Sequence, residues 1–219
     1  MTTEVARDRV AALFDSRFLQ HYTRGKLAGD PVYDAVISRL RGSTLPLLDV
    51  GCGAGIFAFY LRECGLQLPI AGIDHDVQKI AAANSVASRY ANVSFRAGDA
   101  REPLEHRGSV VMLDLLHYFD DPTQARILEN AAACIAPGGV LIVRDAIRDG
   151  SWRYRATYAQ EMFARSVRWL KAERLNFPAW STLAALRGFE EEIVPMWGRT
   201  PFNNYLFVFR RASSGITNE

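Results

Sequence analysis

Between Leu47 and Gly55 the chain reads Leu-Leu-Asp-Val-Gly-Cys-Gly-Ala-Gly, an apolar run that ends in three glycines at alternate positions. No other stretch constrains the fold as tightly. A continuous apolar run is how a parallel strand buried on both faces looks in sequence. The glycines permit a tight turn, because residues without a Cβ reach backbone angles that others avoid. Ile56, Phe57, Phe59, Tyr60 and Leu61 follow at once as a helical pattern. A ligand lying over the turn therefore meets bare backbone and the positive end of a helix. Spacing narrows the ligand. A dinucleotide-binding turn needs G-x-G-x-x-G, whereas Gly55 comes two residues after Gly53 and Ile56 stands where that motif wants glycine. Asp49 adds a carboxylate at the rim of the turn, which suits an ammonium better than a phosphate.

Strand and helix patterns alternate from there on. Leu68 to Ile73 read as a second strand ending at Asp74-His75-Asp76, with Asp74 19 residues beyond Gly55. An acid about 20 residues past a glycine turn, at the next strand tip, is placed to accept both hydroxyls of a ribose. The plain alternative for Asp74 is an ordinary helix-entry acid, a role that fits Asp76 better. Asn92 to Arg96 form a third strand leading to Ala97-Gly98-Asp99-Ala100, Ser109 to Leu113 a fourth, and Val140 to Val143 a fifth after Pro137-Gly138-Gly139.

From Leu47 to Ala146 this series resembles the class I S-adenosylmethionine (SAM)-dependent methyltransferases. The resemblance implies SAM as cofactor and S-adenosylhomocysteine as product. It places Asp49, Gly51, Gly53 and Gly55 at the amino-acid end of the cofactor and Asp74 at the ribose. Asp99 would accept from the adenine amino group, with the Ala100 amide facing a ring nitrogen. The Leu113 carbonyl and Asp114 would face the ammonium, and Tyr22 or Lys26 would reach the cofactor carboxylate. For Tyr22, Arg24 and Lys26, an ordinary polar loop is the competing reading.

The expected fold class is α/β, a three-layer sandwich with a Rossmann-like, seven-stranded, mostly parallel sheet, an antiparallel edge strand and an N-terminal helical cap. One methyltransferase domain is expected over residues 1–211. It comprises a cap (1–42), a SAM-binding core (45–146), a helical acceptor-side region (147–187) and a closing hairpin (188–211), with a tail over 212–219. In the cap, Val10, Leu13, Phe14, Phe18 and Tyr22 read as one helix, broken at Gly25 and Gly29-Asp30-Pro31, and a second helix spans Val32 to Leu40. Asp121-Pro122-Thr123-Gln124 opens a later helix as cap, first-turn proline and capping-box residue.

Composition excludes little but points one way. At 219 residues, 49% hydrophobic and 23% charged, the chain suits one globular enzyme domain. Cys52, Cys64 and Cys134 are widely spaced without a C-x-x-C pair, so neither metal nor disulfides are expected. No apolar run reaches the roughly 20 residues of a membrane helix, Met1 to Val10 lack a secretory core, and a cytoplasmic protein is expected. A net charge of only +2 argues against nucleic acid as main partner. The Asn/Asp-Pro-Pro-aromatic motif of base-methylating relatives and the paired-glutamate loop of protein arginine methyltransferases are both absent.

Methyl transfer from a sulfonium is an in-line displacement, so the protein mainly holds the acceptor and removes its proton. His117, in Leu113-Asp114-Leu115-Leu116-His117-Tyr118-Phe119, is the candidate general base; packing or orienting the acceptor is its alternative. Tyr118, Asp145 and Trp152 are candidate acceptor residues. A small-molecule acceptor is expected, aromatic or polyketide-like, methylated on oxygen or carbon. The segments Tyr22 to Lys26, Leu116 to Asp120 and Thr200 to Asn204 are also similar to methyltransferases of bacterial aryl-polyene pathways. Arg148, Arg153, Arg155, Arg165, Arg168, Lys171 and Arg174 form either a solvated helix face or a dock for an acidic acyl carrier protein. The alternatives in function are a non-catalytic SAM-binding subunit and an RNA or protein methyltransferase.

Overall fold

A computed structural model describes residues 3–166, 175–184, 186–198 and 200–211. The chain has the seven-stranded, mostly parallel Rossmann-like α/β fold and divides into two compact units, Met1–Ala100 and Arg101–Glu219.

The first unit runs α1 (Thr3–Ala12), α2 (Arg17–Gly29), α3 (Val32–Leu40), β1 (Leu47–Val50), α4 (Ile56–Glu63), β2 (Ile70–Asp74), α5 (Val77–Ala87) and β3 (Val93–Ala97). Strand β1 pairs in parallel with β2, Leu47 opposite Ile70 and Val50 opposite Ile73, and β2 pairs in parallel with β3, Asp74 opposite Ala97. All of β1 is buried, Asp49 included, as a parallel strand covered on both faces requires. Helix α4 is buried from Ile56 to Arg62, the mark of a helix covered on every side. Its Phe59 packs edge-on against Phe14 and Phe95 at ring-centroid distances of 6.2 and 5.5 Å. Arg62 donates to four carbonyls, those of Leu66 (2.7 Å), Leu68 (2.7 Å), Asn92 (3.1 Å) and Ala91 (3.3 Å). It thereby ties the turns entering β2 and β3.

The cap differs from the expected pair of helices. Of the periodic residues, Val10 lies in α1, Leu13 and Phe14 in the break after it, and Phe18 and Tyr22 in α2, which starts afresh where the Ser16 hydroxyl accepts from the Leu19 N–H. Gly25 does not break α2, so Tyr22, Arg24 and Lys26 stand on a helix rather than a loop.

The second unit holds β4 (Ser109–Leu113), α6 (Asp121–Ala133), β5 (Val140–Ala146), α7 (Trp152–Ser166), the short α8 (Trp180–Leu183), β6 (Phe189–Pro195) and β7 (Asn204–Arg211). Strand β4 pairs in parallel with β5, while β7 runs antiparallel to both β5 and β6. The closing hairpin thus supplies the antiparallel strand, β7, and the sheet edge, β6. Glu190, Glu191 and Glu192 keep that edge charged and exposed, which discourages pairing with another chain. Strand β5 is three residues longer than its apolar run, since Arg144, Asp145 and Ala146 stay paired with Leu206, Tyr205 and Asn204.

Candidate active site

In the first unit the site grows out of the turn after β1. Gly51, Gly53 and Gly55 all have positive φ, at 82°, 56° and 75°. Their surroundings differ. A Cβ on Gly55 would lie 2.6 Å from the Phe95 ring and 3.0 Å from Phe59, so this glycine serves core packing as well as the turn. A Cβ on Gly53 would meet only the Lys79 side chain, at 3.9 Å, leaving that backbone open to an approaching ligand.

Two carboxylates meet the turn. Asp74, at the end of β2, accepts from the Gly53 N–H at 2.9 Å and from the Asp76 N–H at 2.8 Å. A carboxylate has about four lone-pair positions, so Asp74 keeps capacity for two hydroxyls while fixing the turn. Asp76 caps α5 by accepting from Gln78 and Lys79. Asp49 is 3% exposed, and its Oδ2 has no hydrogen-bond partner. Burial pushes its carboxyl up to about 7, Asp74 adds to the rise, and Lys26 partly offsets it. A buried carboxylate with an unused oxygen calls for a cationic donor, and the ammonium of an amino-acid moiety meets that need. Lys26 also lies 5.7 Å from the Tyr22 ring centroid, and Tyr22 stacks on Phe18. Asp99 is half-buried and Ala100 buried just beyond β3.

In the second unit, a 3-10 turn over Leu116–Tyr118 follows β4 and carries His117, 5% exposed. Asp145, near the end of β5 and 1% exposed, holds the imidazole: its Oδ1 lies 2.8 Å from His117 Nδ1, and its Oδ2 accepts from the His117 backbone N–H at 3.2 Å. The Ala146 N–H adds 2.8 Å to Oδ1. Asp145 therefore backs His117 instead of facing an acceptor, as was expected of it. In the neutral ring the proton resides on Nδ1, toward the carboxylate, and Nε2 is the basic nitrogen. Burial opposes charge on His117, but Asp145, by charge and hydrogen bond, together with Asp114 and Glu161, holds its pKa above the ordinary histidine value. Tyr118 and Phe177 flank the imidazole at centroid distances of 4.2 and 5.3 Å, and Tyr154 packs edge-on against Phe177 at 5.9 Å.

Asp114 has φ 60° and pairs with Arg144, which is 6% exposed. Its own N–H donates to the Arg144 carbonyl at 2.9 Å. Leu113 lies opposite Arg144 in the β4–β5 register. Trp152 stands apart from the imidazole's ring neighbours, 63% exposed at the start of α7, its ring 4.8 Å from the Arg153 guanidinium. Gln124 is not a capping-box residue. Asp120 caps α6, and the buried Gln124 amide donates to the carbonyls of Leu116 (3.1 Å), Phe119 (2.9 Å) and Asn176 (2.6 Å). The Asn176 N–H in turn donates to the His117 carbonyl at 2.8 Å.

Arg144, Glu161 and Asn176 escaped the sequence reading as site residues, and Gln124 carries only a capping-box signal in the sequence. As site residues, only the strand-end acids 114 and 145 carried a signal, whereas the partners come from register or from distant elements. Of the basic segment, Arg148 pairs with Asp121 at 3.1 Å and Arg153 donates to the Thr200 carbonyl at 2.9 Å. Phe163, Arg165, Arg168, Trp169, Lys171, Glu173 and Arg174 lie outside the residues whose side chains are described. Among the described residues no cluster of His, Cys, Asp or Glu is placed to hold a metal, and no helix is long and apolar enough to cross a membrane.

The first unit offers a glycine turn after the first parallel strand with acids at the following strand tips, and the second holds a buried His–Asp pair. A model of the methyltransferase domain matches residues 19–190, and the chain belongs to that family. A ubiquinone biosynthesis O-methyltransferase of Bradyrhizobium sp. (strain ORS 278) is 30% identical over 104 residues, covering 46% of this chain and 40% of the relative. One of the same name from Xanthomonas axonopodis pv. citri is 28% identical over 134 residues, covering 59% and 55%. The chain thus spans about half the length of these curated relatives. In fold it is similar to the magnesium protoporphyrin IX methyltransferase of Synechocystis PCC 6803, solved with bound S-adenosylhomocysteine, at a TM-score of 0.65 and 16% identity, covering 95% and 94% of the two chains.

Proposed function

We propose that this methyltransferase acts on a hydroxyl of a small, flat, apolar molecule of the phenol type, with His117 as general base. The observation that carries this reading is the buried His117–Asp145 pair, 2.8 Å apart, which leaves Nε2 as the basic nitrogen beside the rings of Tyr118 and Phe177. The O-methyltransferases among the relatives support the acceptor class.

Bound SAM supplies an electrophilic methyl group on a sulfonium. In the first unit, Asp49 takes the ammonium, Asp74 the ribose hydroxyls, Asp99 and Ala100 the adenine edge, and Lys26 with Tyr22 the carboxylate. In the second, Nε2 of His117 takes the hydroxyl proton as the acceptor oxygen gains the methyl. Asp145 keeps the ring in the required tautomer and stabilises its charged form. Tyr118 forms one wall for the acceptor, and Asp114, paired with Arg144, borders the same turn.

The test is incubation with labelled SAM and a panel of phenols, hydroxy acids and carrier-bound acyl substrates, with the product position assigned by NMR. His117→Ala and His117→Gln are expected to lose about 10²–10⁴ in turnover while SAM affinity stays within a few fold. Variants that keep near-normal turnover, or that lose cofactor binding together with activity, would refute the assignment of the base. Methylation at a ring carbon beside the hydroxyl would move the acceptor atom and keep the proton-removing role.

A further inference from the structure

His117 and Asp145 are carried by supports of different rigidity. Asp145 lies in β5 and stays paired with Tyr205 of β7. His117 lies on a turn of three residues outside the sheet. Two backbone bonds close that turn, from the Tyr118 N–H to the Leu115 carbonyl at 3.3 Å and from the Phe119 N–H to the Leu116 carbonyl at 3.0 Å. Neither involves His117. Its own N–H donates to Asp145 at 3.2 Å and its carbonyl accepts from the Asn176 N–H at 2.8 Å, so both of its backbone groups are held from outside the turn. The 2.8 Å bond between Nδ1 and Asp145 tolerates shifts of only a few tenths of an ångström. The position of the turn therefore decides whether the pair forms.

Side chains in a helix lean toward its N-terminus, and Gln124, in the first turn of α6, reaches back over the residues that precede it. The carbonyls of Leu116, Phe119 and Asn176 converge on one atom of its buried amide, at 3.1, 2.9 and 2.6 Å. Only the amide nitrogen can face three acceptors, which fixes the orientation of the group. Leu116 and Phe119 stand on either side of His117, so one donor grips both ends of the turn. Asn176 closes the ring, since its Nδ2 donates to the Phe119 carbonyl at 3.1 Å and to Asp121 at 2.7 Å, while its Oδ1 accepts from Arg148 at 3.1 Å. The Arg148 N–H then fastens the Pro178 carbonyl at 2.9 Å. Between these two anchored residues stands Phe177, 2% exposed, with its ring 5.3 Å from the imidazole.

We propose that Gln124 is a positioning residue for methyl transfer: through the carbonyls of Leu116, Phe119 and Asn176 it holds the His117 turn against Asp145, keeping the imidazole proton on Nδ1 and the lone pair on Nε2, and it sets Phe177 against the same ring. This rests on the proposed role of His117 and extends it to a side chain that acts through the backbone of the turn.

The experiment is NMR of the full chain with ¹⁵N-labelled histidine and no added ligand. His117 is assigned among the four histidines by its absence from His117→Gln. In the wild type the neutral ring is expected to carry its proton on Nδ1, with a midpoint above the ordinary histidine value, since Asp145, Asp114 and Glu161 all favour the charged ring. Gln124→Met, equal in length but without a donor, is expected to mix the two tautomers and to lower the midpoint toward ~6.5. Asn176→Ala, at a half-exposed position that burdens folding less, removes the Nδ2 bonds and should move both readouts the same way by a smaller amount. Ile135→Ala, beyond the far end of α6 and 1% exposed, should lower the melting temperature and leave both readouts unchanged. On any phenol that is methylated, Gln124→Met should lose about five- to tenfold in kcat with the KM for SAM unchanged, the effect of about one net hydrogen bond of restraint. A folded Gln124→Met with the wild-type tautomer and midpoint would overturn the inference. An equal shift in Ile135→Ala would do the same, because the midpoint would then report stability alone. If Gln124→Met does not fold, Asn176→Ala decides, and unmoved readouts there overturn it. Failure of the proposed function is seen separately, as a His117 that still depends on Gln124 in a chain that methylates no hydroxyl.

Discussion

Replacing Asp145 by Asn tests the acid–base half of the site through two independent readouts. Asp145 makes two hydrogen bonds to His117, at 2.8 and 3.2 Å, and an asparagine cannot reproduce both. Its carbonyl oxygen can face either Nδ1–H or the backbone N–H, and its amide group then opposes the other donor. Hydrogen bonds to a charged group are worth roughly 1.5–3 kcal/mol each. Losing one of them removes about 1.5–3 kcal/mol of restraint, equivalent to roughly 10–10² in turnover at a tenfold loss per about 1.4 kcal/mol. The pH dependence should change as well. Because the proposed base is neutral His117, turnover in the wild type should rise with pH through a midpoint above the ordinary histidine value of ~6.5. In Asp145→Asn that midpoint should fall. Stability moves in the same window. The raised His117 pKa contributes stability that is fully present below ~6.5 and lost as pH rises through the native value. The melting-temperature deficit of Asp145→Asn should therefore be larger at pH 6 than at pH 9. Initial rates with labelled methyl donor between pH 5.5 and 9, and thermal melts at the two ends, measure both. An unmoved rate midpoint together with an equal deficit at both ends would show that Asp145 does not act on His117 as its geometry implies.

Two further substitutions probe the cofactor side. Asp49→Asn should weaken SAM binding about 10–100-fold by calorimetry, the loss of a charged partner for the ammonium. It should also raise the melting temperature of the cofactor-free chain by at least about 3 °C at pH 8, with little change near pH 4. The sign follows from a buried carboxyl raised to about 7, whose ionisation costs stability as pH rises from the unfolded value toward neutrality. Gly55→Ala should destabilise the chain by about 1–3 kcal/mol in denaturant melts, since a Cβ there meets Phe95 at 2.6 Å from a backbone with φ 75°.

Much of the fold lay open to reading because its signals are local. The run into Gly51 and the acid-tipped strands at Asp74 and Asp99 each occupy fewer than ten consecutive residues. What was hidden depends on long-range pairing. Nothing near Arg144 says that it meets Asp114; that follows from the register that sets Leu113 against Arg144. Asp145 read as an acceptor contact because strand tips border such sites, and only its distance to Nδ1 turns it toward His117. Gln124 fitted a capping box by spacing, yet Asp120 took the cap one residue earlier and freed the amide for three carbonyls. The Val10 to Tyr22 periodicity concealed a break because Ser16 caps without disturbing the apolar spacing.

The Gln124–Asn176 stitch bears on the order in which the protein matures on the ribosome. Glycine turn, Asp49 and Asp74 are all synthesised within the first 100 residues, and the Gly53 N–H to Asp74 hydrogen bond is made inside that unit. The His117 turn is different: its carbonyl waits for the Asn176 N–H, and Gln124 for the Asn176 carbonyl. During translation the Gly53–Asp74 contact can therefore form while the His117 turn is still unfinished. That turn can close fully only once residue 176 has cleared the exit tunnel and docked.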